Sequence, residues 1–417
     1  MRRNGAVLSC LTGLAVACGA ARGQELCRLS GIWGPGGRGI EPPITDTLPL
    51  EFVDGLVLYP TWATLEPSEG QYDFSSIDAL VDVAQPAGKR VGLAVMASVV
   101  PAYILSEPGV SMFLRREQGA VDCTTATPYP WDPYVQGRWE AFLQALAGHL
   151  IRDHSQSGEP LLALARHPAL SHVLAELPGV GAIRDIGNCL TGSPDYDRAA
   201  FIAAALDSIE KVQDSFPTKF TYIFFFNVND GGSPPLTGEI LAAFETTFDG
   251  TSRPRLGLME ENLSCDGPPV GTGGNTNPLF LQQESTFTMF QMLQAWRIPH
   301  REPEQTDACL VTTVPGDRST AVSGPEVGMA FAYDNFATRY FEIYQADLLH
   351  DGFADEFATW SALLRAEVPQ GDSDGDGFPD PCDGCPWDPE RIVSAGCLTI
   401  FVDGFEDGTT QAWVEGS

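Results

Sequence analysis

The stretch VDGLVLYPTWATLEPSEGQYDFSSIDALVDVAQPAGKRVGLAV, residues 53–95, sets two apolar runs on either side of a helical pattern. VDGLVLYPTW (53–62) opens it, and RVGLAVMAS (90–98) begins before it ends. Neither run shows strict polar alternation, which is how a strand covered on both faces reads. Between them Phe74, Ile77, Leu80, Val81 and Ala84 recur at helical spacing, with Asp73 placed as the cap. Strand, helix, strand is the repeating unit of a parallel sheet.

The same alternation extends outward in both directions. Further strand-like runs are SGIWGPG (30–36), SHVLAELPG (171–179), TYIFFFNV (221–228), RLGLMEEN (255–262), FTMFQMLQ (287–294) and YFEIYQADL (340–348). Helical stripes fall between several of them. One carries Val135, Trp139, Phe142, Leu143, Leu146 and Leu150, and the next Phe201, Ile202, Ala205, Leu206, Ile209 and Val212. Eight strands alternating with helices predict an α/β fold, a (β/α)8 TIM barrel over residues 24–366. A doubly wound sheet is the alternative, but no G-x-G-x-x-G or Walker loop follows any strand. Long Pro- and Gly-rich loops at 34–49, 99–133, 229–237 and 264–279 suit the ligand face of a barrel.

Charge and composition narrow the function. The chain has 24 basic and 55 acidic residues, a net charge of −31, so it lacks the basic footprint of a nucleic-acid binder. Residues 1–23 read as an export signal: Arg2 and Arg3, an apolar stretch from Ala6 to Ala20, then Ala21-Arg22-Gly23. The expected setting is secreted or cell-surface, with no transmembrane segment. Removing Cys10 and Cys18 with the signal leaves Cys27, Cys123, Cys189, Cys265, Cys309, Cys382, Cys385 and Cys397. An even set in an oxidising compartment predicts disulfides, with connectivity open.

Beyond residue 366 the alternation stops and an acidic tail begins. DSDGDGFPDPCD, residues 372–383, puts carboxylates at Asp372, Asp374, Asp376, Asp380 and Asp383, with Gly377 at the turn and the Phe378 carbonyl available. A hard cation needs six to eight oxygens, and this spacing can wrap a structural Ca²⁺. The pattern resembles a thrombospondin type 3 repeat over about residues 372–397. That resemblance implies a Cys385–Cys397 pair and a calcium-binding unit at 367–397. Residues 398–417 carry a terminal F-x-D-G-F-E motif.

The central stretch carries a second resemblance. WATLEPSEGQYDF, then the helix, then GKRVGLAV resembles family 42-like, clan A-type (β/α)8 glycoside hydrolases, which run W-x-x-x-E-P-x-x-G-x-(Y/F)-(D/N)-(F/W) and G-K-x-V. The resemblance continues into Pro101-Ala102-Tyr103 and, more weakly, through residues 130–146 and 340–348. It implies a carbohydrate-active barrel, with an oligo- or polysaccharide bound where the strands end and no cofactor for catalysis. It also implies that Glu66 and its neighbours shape the turn, with Pro67 fixing the backbone and Gly70 releasing it into the helix.

Sugar faces stack on aromatic rings, so Trp62, Tyr59, Trp131, Tyr103 and Tyr134 are platform candidates at the expected loops. Trp139 reads as helix core. Glycoside hydrolysis needs two carboxyl groups. In the resembled clan they follow strands four and seven. Here strand four offers Glu176, with Asp185 nine residues on, neither in the clan's Asn-Glu context. Strand seven presents Gln291, a substrate-binding candidate, where the clan has glutamate. Glu260 and Glu261 end strand six, and Glu342 lies on strand eight beside Tyr344. A carboxylate buried in a strand is costly unless paired, so Glu176, Glu260 and Glu342 lead, with Asp185 and Glu261 behind. The six histidines are scattered and read as structural. Two readings follow: a secreted hydrolase of O-glycosidic bonds, or a non-catalytic glycan-binding or surface-display protein.

Overall fold

Eight parallel strands close on themselves: β1 (Gly31–Pro35), β2 (Gly55–Leu58), β3 (Arg90–Leu93), β4 (Leu170–Leu174), β5 (Phe220–Phe224), β6 (Leu256–Leu263), β7 (Phe287–Met292) and β8 (Tyr340–Glu342). Each pairs in parallel with its sequence neighbour, and β8 returns to β1. This is a TIM barrel, and each of the eight apolar runs read from the sequence holds one strand. The computed structural model describes residues 29–36, 44–116, 122–181, 183, 187–226, 228, 230–250, 253–263, 286–292 and 326–367. The export signal, Asp185, the calcium loop with Asp372, Asp374, Asp376, Phe378, Asp380 and Asp383, the Cys385–Cys397 pair and the terminal motif lie outside the described residues.

The larger helices are α1 (Ser75–Ala84), α2 (Pro133–Gly148), α3 (Arg198–Ser215), α4 (Leu236–Thr247), α5 (Glu326–Phe336) and α6 (Ala354–Ala366). α1 buries Ile77, Leu80, Val81 and Ala84, its apolar stripe. Its cap differs by one residue: Phe74 is the cap position, and Asp73 accepts from the Ser75 N–H at 3.1 Å from just outside the helix. α2 begins at Asp132, whose carboxylate accepts from the Tyr134 and Val135 N–H groups. Its buried stripe runs through Val135, Trp139, Phe142, Leu143 and Leu146. Leu150, expected on that stripe, lies past the helix end in a small hairpin (Leu150–Arg152 with Leu161–Ala163) and is exposed.

Strand parity divides the core into two apolar bodies. Ile32, Leu56, Val91, Leu93, Val173, Ile223, Leu258, Phe290 and Phe341 face the helices. Trp33, Val57, Ala94, Leu174, Tyr222, Phe224, Met259, Met289 and Tyr340 fill the lumen. Large lumenal side chains are accommodated by glycines on neighbouring strands. A Cβ on Gly55 would lie 2.2 Å from the Trp33 ring, and one on Gly92 would lie 2.2 Å from His172 Nε2.

The turn after β2 corrects one expectation. The strand ends at Leu58, a single parallel bridge follows at Thr61–Met96, and Thr61 caps a short helix, Trp62–Leu65, through a reciprocal bond with Thr64. That helix swings Trp62 away from the barrel mouth and into the helical layer, where it is fully buried 5.0 Å from the Trp139 ring. Trp62 is therefore core, with no face left for a sugar. Its Nε1–H donates to Glu66 Oε2 at 2.9 Å. The other oxygen, Oε1, accepts from the Gly70 N–H at 2.9 Å and from Arg138 of α2 at 2.5 Å. Gly70 has φ +66°, a conformation glycine adopts without strain. The spacing W-x-x-x-E-P-x-x-G is thus a recipe for surrounding one buried carboxylate with donors.

Glu66→Ala is expected to cost about 3 kcal/mol of unfolding free energy, since a half-buried guanidinium, an indole N–H and a backbone N–H all lose their acceptor. Urea denaturation measures it. Adding Arg138→Met should recover part of the loss, because the uncompensated charge goes with it.

Candidate active site

The inner-face positions at the carboxyl ends of the strands change from apolar to polar. Tyr59 stands two residues past Val57 on the β2 phase, and Glu176 two past Leu174 on the β4 phase. Gln291 follows Met289 on β7, and Glu342 and then Tyr344 follow Tyr340 on β8. Gln291 and Glu342 are register partners on adjacent strands. Barrels carry their ligand sites at this end.

Glu342 is the best-defined centre. It is fully buried and accepts from three described donors. Oε2 receives the Tyr59 hydroxyl at 2.6 Å and the Gln291 amide at 2.9 Å, and Oε1 receives the Tyr340 hydroxyl at 2.8 Å. The Gln291 amide is oriented from its other side by the Tyr344 hydroxyl, 2.9 Å from its Oε1. Below, the Tyr340 oxygen lies 3.2 Å from His172 Nε2. Burial, with the charge of Arg90, holds the His172 imidazole well below its usual range and so neutral. Burial and the neighbouring Glu342 push the Tyr340 hydroxyl well above its usual range.

Glu176 is buried across the lumen, with Oε2 accepting from the Ala97 N–H at 2.6 Å. That bond ties the β4 exit to the β3 exit, as does the Gly179 N–H to the Ala97 carbonyl. Of the two β6 glutamates, Glu260 follows Leu256 and Leu258 and is in register with Phe290, all outer-face residues. Glu261 falls in the bulge between Glu260 and Leu263, past which Leu263 is again an outer-face residue. The inner-face carboxylates are thus Glu176 and Glu342, and Glu260 stands apart from them.

The aromatic candidates scatter. Tyr59 is half-buried at the mouth and bonded to Glu342. Trp131, also half-buried, stacks on Tyr129 at 4.9 Å, with Tyr196 edge-on at 6.3 Å. This shelf belongs to the loops after β3 and β4. A hairpin (Met112–Arg116 with Cys123–Pro128) is joined to a short helix (Gly187–Thr191) by the Cys123–Cys189 disulfide. The Tyr129 hydroxyl adds a bond to Ser193. Tyr103 sits instead in the Glu66 cluster, its hydroxyl 3.4 Å from Arg138 Nε and its ionisation pushed up, chiefly by burial. Trp62 is buried in the core, as described above.

Sequence reading passed over Tyr340 and His172. Both were legible by phase, two residues before Glu342 and four before Glu176. What the sequence hides is that the two side chains meet. Among the described residues no cluster of His, Cys, Asp and Glu could hold a metal ion, and no helix is long and apolar enough to cross a membrane.

Comparison with known proteins agrees with the barrel fold. The family described as Glyco_hydro_42, beta-galactosidase, matches residues 56–118, the segment holding the Glu66 turn. No curated protein sequence matches. Among solved structures, the catalytic domain of a beta-amylase from Paenibacillus polymyxa superposes with a TM-score of 0.51 at 9% identity, covering 82% of this chain and 99% of that one. At that identity the likeness is one of fold. The beta-galactosidase from Rahnella sp. R3 has a TM-score of 0.43 at 12% identity, over 82% of this chain and 57% of that one. Xylanase 10B from Thermotoga maritima has 0.41 at 10%, over 78% and 85%.

The disulfide closes a loop with a sequence separation of 66. Replacing Cys123 and Cys189 by serine should therefore cost about 4 kcal/mol in the chain-entropy picture. Guanidinium melts of the oxidised and substituted proteins read the difference, and quenching of Trp131 fluorescence should rise as the shelf loosens.

Proposed function

We propose that the barrel hydrolyses O-glycosidic bonds of an oligo- or polysaccharide, using carboxyl groups on its inner face. One observation carries this reading: Glu176 and Glu342 both stand on lumenal phases at the carboxyl ends of their strands, buried and held by hydrogen bonds. The match over residues 56–118 and the barrel fold support it.

The chemistry requires one protonated group for the leaving oxygen and one anion as nucleophile or as base for water. Hydrogen bonds donated to a carboxylate favour its charged form. Three donors converge on Glu342, so it takes the anionic role. Glu176, after strand four, takes the acid role. Tyr59 and Gln291 present donors at the mouth, and the Trp131 shelf offers a ring face further out along the loops.

A second reading keeps the glycan and drops the turnover. It is favoured by Gln291, which occupies strand seven where the resembled clan carries a glutamate and whose amide is fully engaged by Glu342 and Tyr344. Release of reducing sugar from a glycan panel decides between the two. Under the hydrolytic reading Glu176→Gln and Glu342→Gln each lower kcat by about 10²–10⁴-fold. Glycan affinity with no release by the unaltered protein establishes the binding protein.

The setting we propose is the cell exterior. A disulfide between Cys123 and Cys189 suits an oxidising compartment. For the tail, the spacing of Asp372, Asp374, Asp376, Asp380 and Asp383 supports one structural Ca²⁺, with the Phe378 carbonyl. Calorimetric titration of the full chain should show one calcium site, lost in Asp374→Ala and Asp376→Ala. No heat from the unaltered chain removes the site.

A further inference from the structure

Glu342 does not end the polar structure of the lumen. Below it the Tyr340 oxygen lies between Glu342 Oε1, at 2.8 Å, and His172 Nε2, at 3.2 Å. These residues come from strands β8 and β4, on opposite sides of the barrel. All three are fully buried. Trp33 closes one side of the His172 ring at 4.6 Å and Tyr222 another at 5.4 Å. Gly92 leaves the space the imidazole fills.

Counting protons along this chain assigns its charge. A tyrosine hydroxyl has one proton to give. Oε2 of Glu342 already faces two donors, the Tyr59 hydroxyl and the Gln291 amide, whose orientation Tyr344 sets. While the Tyr59 hydroxyl and the Gln291 amide both donate to Oε2, a proton on Glu342 would have to sit on Oε1, facing Tyr340. Two arrangements remain. With Glu342 ionised, Tyr340 donates up to Oε1 and must accept from below, so His172 carries its proton on Nε2. With Glu342 protonated, the bonds reverse: Oε1 donates to Tyr340, Tyr340 donates down, and His172 must carry its proton on Nδ1. His172 Nδ1 is buried and has no hydrogen-bond partner among the described residues. A proton placed there would be a buried, unsatisfied donor, which costs more than an unsatisfied ring lone pair. The ionised arrangement is the one the site can hold.

We propose that Tyr340 and His172 form a buried positioning chain that keeps Glu342 ionised and fixed in orientation beneath the barrel mouth. His172 in its Nε2–H form directs the Tyr340 proton upward, and Tyr340 in turn holds Oε1. Neither residue reaches the mouth, so neither is a catalytic residue. Their part in turnover rests on the hydrolytic reading above, but the charge assignment does not.

The test separates these two. Histidine-labelled full-length protein is examined by long-range ¹H–¹⁵N correlation from about pH 5 to 8, the range in which an unperturbed histidine titrates. The His172 signals are identified by their loss in His172→Gln. If that variant does not fold, they are identified by their shift in Tyr340→Phe, which removes one oxygen from the core. The expected result is a neutral ring with its proton on Nε2 throughout. A ring protonated on Nδ1, or one that gains a second proton in this range, overturns the proposal. If the protein turns over glycans, Tyr340→Phe should move the acidic limb of its kcat profile upward by about one pH unit, because Glu342 loses a donor to its charged form. KM should stay unchanged. An unmoved limb overturns the positioning role. A silent glycan panel removes the hydrolytic reading and leaves the tautomer result standing.

Discussion

Every inward side chain of an eight-stranded barrel shares one narrow lumen, where a polar atom left without a partner is costly. That constraint orders the interior of this protein. The lower lumen is filled by apolar bulk that fits only because glycines stand opposite, as Gly55 does to Trp33. The first polar groups above it are the His172 ring and the Tyr340 hydroxyl, which meet each other. From there bonds climb to Glu342, Gln291, Tyr59 and Tyr344, all toward the carboxyl ends of the strands. On this side of the lumen polarity enters as a connected network, so each polar group rests on the one below it.

The helical layer meets the same constraint with one carboxylate. Glu66 is buried, and its donors come from its own turn, from the start of the next segment and from α2. Arg138 also reaches Glu69 at 3.3 Å, so a single guanidinium binds both acids of the turn. This fixes where β2 ends and where α1 begins. Tyr59 is the last residue before that turn on the lumenal phase, and its hydroxyl is a ligand of Glu342. The outer ion pair and the inner carboxylate are therefore coupled through a few residues of backbone.

The fold was legible because each strand is covered on both faces and reads as an unbroken apolar run. What failed were readings that needed local turn chemistry or strand phase. Trp62 is an aromatic at the end of an apolar run, which reads as a platform at the mouth. The Thr61–Thr64 capping pair bends the chain one step earlier and buries the ring. Leu150 continued a helical stripe, but the helix ends at Gly148 and the stripe ends with it. Glu260 and Glu261 are indistinguishable by composition. Glu260 keeps the outer-face phase of Leu258, and Glu261 falls in the bulge that follows, which is invisible in sequence. The Tyr340–His172 contact joins residues 168 positions apart, so no window of sequence contains it.

Gln291 and Glu342 bear on how far the resemblance to clan A barrels reaches. A glutamine on strand seven looks like a lost carboxylate when that strand is read alone. In the barrel Gln291 and Glu342 are register partners, one inter-strand spacing apart, roughly 4.8 Å. Together they form one unit in which the amide donates and the carboxylate accepts. Strands four and eight are opposed across the barrel, so Glu176 and Glu342 stand on opposite walls of the lumen. Gln291 is held in place as the donor to Glu342, with Tyr344 fixing its other side.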